Sequence, residues 1–158
     1  MNCNESRTLD VAVMVETRKD IFLVPVVKNA IEKVPDETKI QIFHGTDNID
    51  YIKEGLGSEI DSGKVFLTNL NKKNIDRVCY SNLLTSEGFW NQIDGEHILI
   101  FQTDSCFCSN PKRDIGYFLE YGYVGGPLEL TAKHFGATPQ AQKDAIVYQN
   151  GGFSLRRK

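Results

Sequence analysis

The sequence predicts an α/β fold in which a mostly parallel sheet is flanked by helices on both faces and followed by a smaller, irregular α+β part. Two observations carry this reading. From residue 9 to residue 101, short apolar runs alternate with polar stretches of helical period, the order expected of βαβ units on a buried parallel sheet. Beyond Asp104 the pattern changes: Gly116, Gly122, Gly125, Gly126, Gly136, Gly151 and Gly152 interrupt short aromatic strands, which calls for backbone turns in place of crossover helices.

Each element has its own signal. In 9–15, six of seven residues are apolar, as in a strand buried on both faces. Residues 21–33 predict a helix with Val24, Val27, Ala30 and Ile31 on one face, ended before Pro35, which cannot continue it. A second strand covers 39–43, and His44-Gly45 turns the chain out of it. A short helix over 48–54 is stopped by Gly55, and a third strand covers 64–67. Residues 74–86 predict a helix with Ile75, Val78, Cys79, Leu83 and Leu84 facing inward. The wholly apolar run 97–101 is the fourth strand. Right-handed crossovers place all carboxyl ends of such strands at one edge, where open α/β sheets bind ligands. The polar residues just past those ends are Glu16-Thr17-Arg18, His44-Gly45-Thr46, Thr68-Asn69 and Gln102-Thr103-Asp104-Ser105.

Composition limits the function classes. The chain has 158 residues, 41% hydrophobic and 25% charged, with a formal charge of −3, the mix of a single globular domain over 1–158. An acidic balance without a basic stripe argues against nucleic acid as a partner, and Arg156-Arg157-Lys158 reads as a solvated tail. No apolar run approaches the ~20 residues of a membrane span, and the opening residues lack a secretory pattern, so the expected location is cytoplasmic. Cys3, Cys79, Cys106 and Cys108 lack zinc spacing and read as ordinary thiols. His44, His97 and His134 have no serine elbow to serve.

Four features could carry chemistry. Asp104 directly follows a buried strand, where a carboxylate either holds Mg²⁺ or Mn²⁺ with help from substrate phosphates or caps the turn. Asn150-Gly151-Gly152 either lets a ligand approach the main chain or forms a hairpin turn. Arg18 and Arg156 could hold a pyrophosphate or make surface ion pairs. Tyr80, Phe89 and Trp90 read as core packing, and Tyr117, Phe118, Tyr121 and Tyr123 as core or a sugar-stacking face.

Taken in order, these pieces resemble an uncharacterised domain family of glycosyltransferase type. The resemblance rests on Glu16-Thr17-Arg18, His44-Gly45, the helix over 80–90, Phe101-Gln102-Thr103-Asp104-Ser105, the turn over 121–127, and the closing Asn150-Gly151-Gly152-Phe153-Ser154-Leu155-Arg156. It implies a Rossmann-like fold of the GT-A kind, with a nucleotide-binding half over 9–105 and a sugar and acceptor half over 106–158. The implied activity is transfer of a sugar from a UDP, GDP or dTDP type donor to the hydroxyl of a glycan or other acceptor, assisted by Mn²⁺ or Mg²⁺. Gln102-Thr103-Asp104 occupies the Asp-x-Asp place of that fold, which makes Asp104 the metal ligand and leaves Gln102 where the first acid would stand. Thr17, Arg18, His44, Asn48, Gln102, Thr103 and Arg156 fall on the donor side. Asn150, Gly151 and Gly152, with Asp104, fall at the catalytic centre. Phe153 to Arg156 contains no acid after the double glycine, which favours retention of configuration; Asp114, Glu120, Glu129 and Asp144 are the candidate bases for inversion. Gly122 and Leu128 depart from the family's Asp and Trp. Because the chain stops soon after Ser154-Leu155-Arg156, it is expected either to be a compact module or to have its acceptor site completed by another domain or subunit. The rival readings are a non-catalytic module that binds a nucleotide-sugar or glycan on the same fold, and a nucleotidyltransferase.

Overall fold

Six consecutive buried residues make the strand Val11–Glu16 (β1) the spine of the protein. The computed structural model describes residues 7–127 and 149–158. After β1 come α1 (Leu23–Lys33), β2 (Lys39–His44), α2 (Ile49–Asp61), β3 (Val65–Asn69), α3 (Arg77–Leu84), α4 (Glu87–Trp90) and β4 (His97–Phe101). A 3-10 turn over Ile115–Phe118, β5 (Tyr123–Pro127) and β6 (Gln149–Arg157) complete the described elements. They form a six-stranded sheet in the order β3-β2-β1-β4-β6-β5. The neighbours β3, β2, β1 and β4 are parallel, while β6 runs antiparallel to both β4 and β5. The mixed α/β sheet read from the sequence is therefore the fold, with the irregular half supplying the antiparallel edge.

Alternation along β1 divides the interior into two cores. Ala12 and Met14 face Leu23, Val27 and Ala30 of α1 and Ile52 and Leu56 of α2. Val11, Val13 and Val15 face Phe43, Phe89, Ile93, Ile98 and Ile100 on the other side. Burial on both faces explains why β1 and β4 read as unbroken apolar runs. In register, Glu16 lies beside His44 and His44 beside Asn69, so three strand ends reach the carboxyl edge in one row.

Several elements differ from the sequence reading. The second helix runs through Gly55 to Asp61, with a kink at Leu56 (φ −129°, ψ 21°). Gly55 is there for packing: a Cβ would come 2.5 Å from Val24 Cγ2 of α1. The buried stripe of α1 is Leu23, Val27 and Ala30, whereas Val24 and Ile31 are only half-buried. The predicted helix over 74–86 is shorter, starting at Arg77 with Asp76 accepting a hydrogen bond from the Cys79 amide. Val78 and Cys79 point outward, Val78 being 67% exposed. That helix rests on the sheet through Tyr80, Leu83 and Leu84, with Ile75 just before it packed on the same core. The terminal basic residues are not a solvated tail. Arg156 and Arg157 lie in β6, Arg157 pairs with Glu96, and Lys158 Nζ donates to the Ile93 carbonyl at 2.8 Å.

At the carboxyl edge, the loops after β1, β2 and β3 meet at Gly45. A Cβ there would stand 2.7 Å from both the Lys72 and the Thr17 carbonyl oxygens. Gly45→Ala is expected to lower stability by about 2 kcal/mol or more, because rigid main chain must move to make room. Gly57→Ala, whose Cβ meets nothing within 4 Å, is expected to raise it by about 0.5–1 kcal/mol through helix propensity. Urea midpoints of the two variants check the contrast.

Candidate functional site

The row of strand ends opens into a cleft of about 410 Å³, lined by Val15 to Arg18, by Gln102 to Asp104, and by Ile75, Asp76, Arg77 and Tyr80. The strand ends of β1 and β4 supply the first two groups, and the start of α3 supplies the third.

Arg18 is the cleft's best-organised cation. Its Nε donates to Glu16 Oε1 at 2.9 Å and its Nη2 to Glu16 Oε2 at 2.7 Å, while the Arg18 amide also reaches Oε1 at 2.8 Å. This two-point grip, together with the Glu16 charge, raises the guanidinium pKa further above its already high ordinary value. Asp20 lies 3.7 Å from Arg18 Nη2, accepts from the Thr103 hydroxyl at 3.1 Å and from the Phe22 amide at 2.8 Å, and so links the two strand-end loops. Glu16 is 8% exposed at its side chain and Arg18 62%: the carboxylate anchors, and the cation faces solvent.

The turn after β4 is closed by Ser105, whose amide donates to the Gln102 carbonyl at 3.0 Å and whose Oγ accepts from the Gln102 amide at 3.1 Å. Asp104 is exposed, and among the described residues no hydrogen bond reaches its carboxylate. The turn-capping role considered for Asp104 thus belongs to Ser105. Tyr80 closes the back of the cleft with a buried hydroxyl that makes no regular hydrogen bond. Burial pushes the Tyr80 hydroxyl pKa up, with Gln102 and then the Arg156 charge opposing and Asp104 and Glu16 reinforcing.

His44 and Asn48, read as donor-side residues, do not line this cleft; they hold its frame. Asn48 is fully buried: its Oδ1 accepts from the Gly45 amide at 2.9 Å, and its Nδ2 donates to the Glu16 and Arg18 carbonyls at 2.9 and 3.0 Å. His44 is buried with Nδ1 2.7 Å from the Gly45 carbonyl, which requires the proton on Nδ1. The Thr17 hydroxyl accepts from the Ile75 amide at 3.2 Å and lies 3.4 Å from Asn74 Oδ1, so it fastens the loop that leads into α3.

The glycine pair sits elsewhere than a hairpin turn. In β6, Ser154 is opposite Gly125 and Asn150 opposite Gly126, so Gly151, Gly152 and Phe153 form a bulge inside the strand. Arg156 braces this bulge: Nη2 lies 3.4 Å from the Gly151 carbonyl and Nε 3.1 Å from Ser154 Oγ, which itself bonds the Gly151 carbonyl at 3.0 Å. The Arg156 guanidinium also lies 5.5 and 5.4 Å from the ring centres of Trp90 and Tyr123, within cation–π range. No residue of β6 lines the 410 Å³ cleft among the described residues. The structure therefore brings Thr17, Arg18, Gln102, Thr103 and Asp104 together and leaves Gly151, Gly152 and Arg156 outside that group.

Residues 64–158 match the family described as "Protein of unknown function (DUF5672)". The chain belongs to this family. A search of curated proteins finds no match to the sequence. Among solved structures, the DUF5672 chain is similar to the mannosyltransferase PcManGT from Pyrobaculum calidifontis, in complex with GDP-Man and Mn²⁺, at 13% identity and a TM-score of 0.59. It is also similar to the apo-form glycosyltransferase GlyE from Streptococcus pneumoniae TIGR4, at 13% identity and a TM-score of 0.54. These likenesses cover 96% and 95% of this chain but 45% and 34% of those proteins; the chain thus spans less than half of either. At these identities the likeness establishes a glycosyltransferase-like fold. No helix among the described residues is long and apolar enough to cross a membrane.

Sequence reasoning missed Asp20 and Tyr80 as site residues, as well as Asp76 and Arg77. Asp76 carried a readable signal, because an Asp before a helix with a free amide three residues on is a cap, and it places the start of α3 at the cleft. Asp20 carried none, since its partners Arg18 and Thr103 meet only through the β1–β4 pairing. Asn48→Asp is expected to cost about 2 kcal/mol or more near neutral pH, because the Glu16 and Arg18 carbonyls lose their donor and face a carboxylate. A protonated acid can donate there, which raises the folded-state pKa of the new Asp. Its stabilising contribution is thus present at low pH and lost as pH rises through that folded value. The deficit relative to wild type should accordingly be smaller at pH 4 than at pH 8 in urea titrations.

Proposed function

We propose that the cleft binds the nucleoside diphosphate of a sugar donor and that the protein transfers the sugar to an acceptor hydroxyl, with 9–105 as the nucleotide half and 106–158 as the sugar and acceptor half. The observation that carries this reading is the meeting of an oriented guanidinium, Arg18, with an unengaged carboxylate, Asp104, across one cleft of a glycosyltransferase-like sheet.

The residues act as follows in this reading. Glu16 fixes the Arg18 guanidinium, and the remaining N–H groups of that fork are directed to phosphate oxygens. Gln102 offers a neutral amide to the donor, and Thr103, held by Asp20, keeps oxygen lone pairs for it. Thr17, His44 and Asn48 hold the main chain on which the nucleotide rests. Arg156 adds positive potential from behind Tyr80 and shapes the bulge that carries Gly151 and Gly152, next to Asn150, on the sugar side.

A divalent cation suits the cleft in one specific way. Among the described residues no three carboxylate, imidazole or thiol groups come together as a metal cage, so those residues alone make a poor site. Asp104 is exposed and has no hydrogen-bond partner among the described residues, and Mg²⁺ or Mn²⁺ binds through one or two carboxylates when substrate phosphates and water complete the shell. Asp104 would hold the cation, which when bound offsets the negative charge that grows on the leaving diphosphate.

The other cleft carboxylates are engaged: Glu16 by Arg18 and Asp76 by the Cys79 amide. Among the described residues that leaves no second free carboxylate in the cleft to serve as an acceptor base, in keeping with retention of configuration; the candidate bases Glu129 and Asp144 lie outside the described residues. That Asp104 is the one unengaged acid of the cleft among the described residues also favours the alternative, a module that binds the nucleotide-sugar without turnover.

Melting curves with UDP, GDP and dTDP, with and without Mn²⁺, test the reading. One nucleotide family should stabilise the protein, by about 2.7 kcal/mol at a hundred times its dissociation constant. Asp104→Ala should leave the ligand-free melting temperature unchanged and remove the Mn²⁺-dependent increment. Arg18→Ala should weaken all three nucleotides by about tenfold, the scale of a charge-assisted phosphate contact. Failure of every nucleotide to shift the melt would sink the donor reading, and binding without hydrolysis of the matching sugar donor would select the non-catalytic module.

A further inference from the structure

A second cavity, about 660 Å³, lies on the opposite side of the chain that leaves β4: Gln102 to Asp104 line the first cleft, and Cys106 to Cys108 line the second. It runs between the end of α1 and the inner face of β5 and β6, with the loop 111–118 along its side. Its size falls within the ~300–1,000 Å³ of small-molecule sites, but its chemistry is unlike the first. Leu99 and Leu155 form its buried base, and Phe107, Phe118, Phe153 and Val124 supply most of the wall. Phe107 packs edge-on between Phe101 and Phe153, with ring centres 5.6 and 5.1 Å away, so the aromatic wall is braced on both sides.

The polar groups at this cavity are few and unbalanced. Lys33 and Arg113 line it, and among the described residues neither has an acidic partner. The Arg113 guanidinium carbon lies over the Tyr117 ring, 3.8 Å from its centre, a cation–π contact that holds it in place. The one acid among the described residues that line it, Asp114, already accepts from the Tyr117 amide at 3.1 Å. An apolar trough with two unpaired cations complements a molecule with an apolar chain and an anionic head. A nucleotide would leave its polar edges unmatched there.

The geometry points to this cavity as a binding site for a single-chain anionic amphiphile, with its chain against Phe107, Phe118 and Phe153 and its head group at Arg113 and Lys33. The site is separate from the nucleotide cleft and does not depend on the function proposed for it, although a ligand here lies next to the Gln102–Asp104 turn.

Calorimetric titration of the whole chain with decyl phosphate, kept below its micelle concentration and without nucleotide, tests the site. The expected result is saturable one-to-one binding, with decyltrimethylammonium weaker and inorganic phosphate silent. Arg113→Glu, on an exposed side chain, should weaken decyl phosphate by about fivefold or more while leaving decanol unchanged. Phe153→Asp should weaken both by about tenfold or more. If Phe153→Asp proves unfolded by its melting curve, Arg113→Glu alone decides. No saturable binding, equal binding of the cationic amphiphile, or binding indifferent to the folded variants would each overturn the assignment. Nucleotide response measured on the same samples separates this result from that of the donor reading.

Discussion

Asn48 has no exposed surface, and its carboxamide is directed wholly to main chain: one amide of the β2 loop and two carbonyls of the β1 loop. The cleft depends on this arrangement. A parallel sheet delivers strand ends to a common edge but leaves their last backbone groups without ladder partners. At that edge Asn48 satisfies those of Glu16, Arg18 and Gly45, and Gly45, having no Cβ, lets the chain pass within contact of Thr17 and Lys72. Thr17 then ties the loop before α3. Three successive loops are thus fixed by two side chains and one missing side chain, and the cleft residues that follow β1 and open α3 are positioned by them.

Charge in the cleft is layered. The nearly buried Glu16 carboxylate is neutralised in place by Arg18, so the acid costs little to bury and the cation is held without being consumed. Asp20 extends the same network across to Thr103 on the β4 side. Because Arg18 is mostly exposed, this network contributes orientation more than stability. Asp104 stands apart from it, an exposed carboxylate that no hydrogen bond reaches among the described residues. The contrast between an engaged acid and an unengaged one, a few residues apart in space, is what gives the cleft chemical direction.

The two cavities divide the molecule along the segment that follows β4. One side is polar and built from the parallel half; the other is apolar and lies where the antiparallel strands β5 and β6 meet β4 and the end of α1. The bulge at Gly151 to Phe153 belongs to this second side, since it turns Phe153 toward Phe107 while Arg156 holds the Gly151 carbonyl. Trp90, read in sequence as packing, and Tyr123, read as core or a sugar-stacking face, flank that arginine, so both aromatics also carry a cation.

The sequence by itself determined the sheet. Uninterrupted apolar runs such as 97–101 can be buried only between two layers, and their alternation with helical stretches leaves parallel pairing as the economical topology. It also marked Arg18 and Asp104, because residues just past a buried strand are carried to the ligand edge by the topology alone. What it misread were features set by contact. Gly55 looked like a stop and is a place where α1 and α2 touch; Val78 looked inward at helical spacing and faces solvent because the helix begins later, at Arg77. Asn48, Asp20 and Arg156 could not have been assigned their partners, which lie as far as 32 and 83 residues away for the first two and within a bulge for the third. Periodicity reports which face of an element is buried, since burial repeats along the chain. Which polar atoms meet at a strand end has no such repeat, and tertiary packing alone decided it.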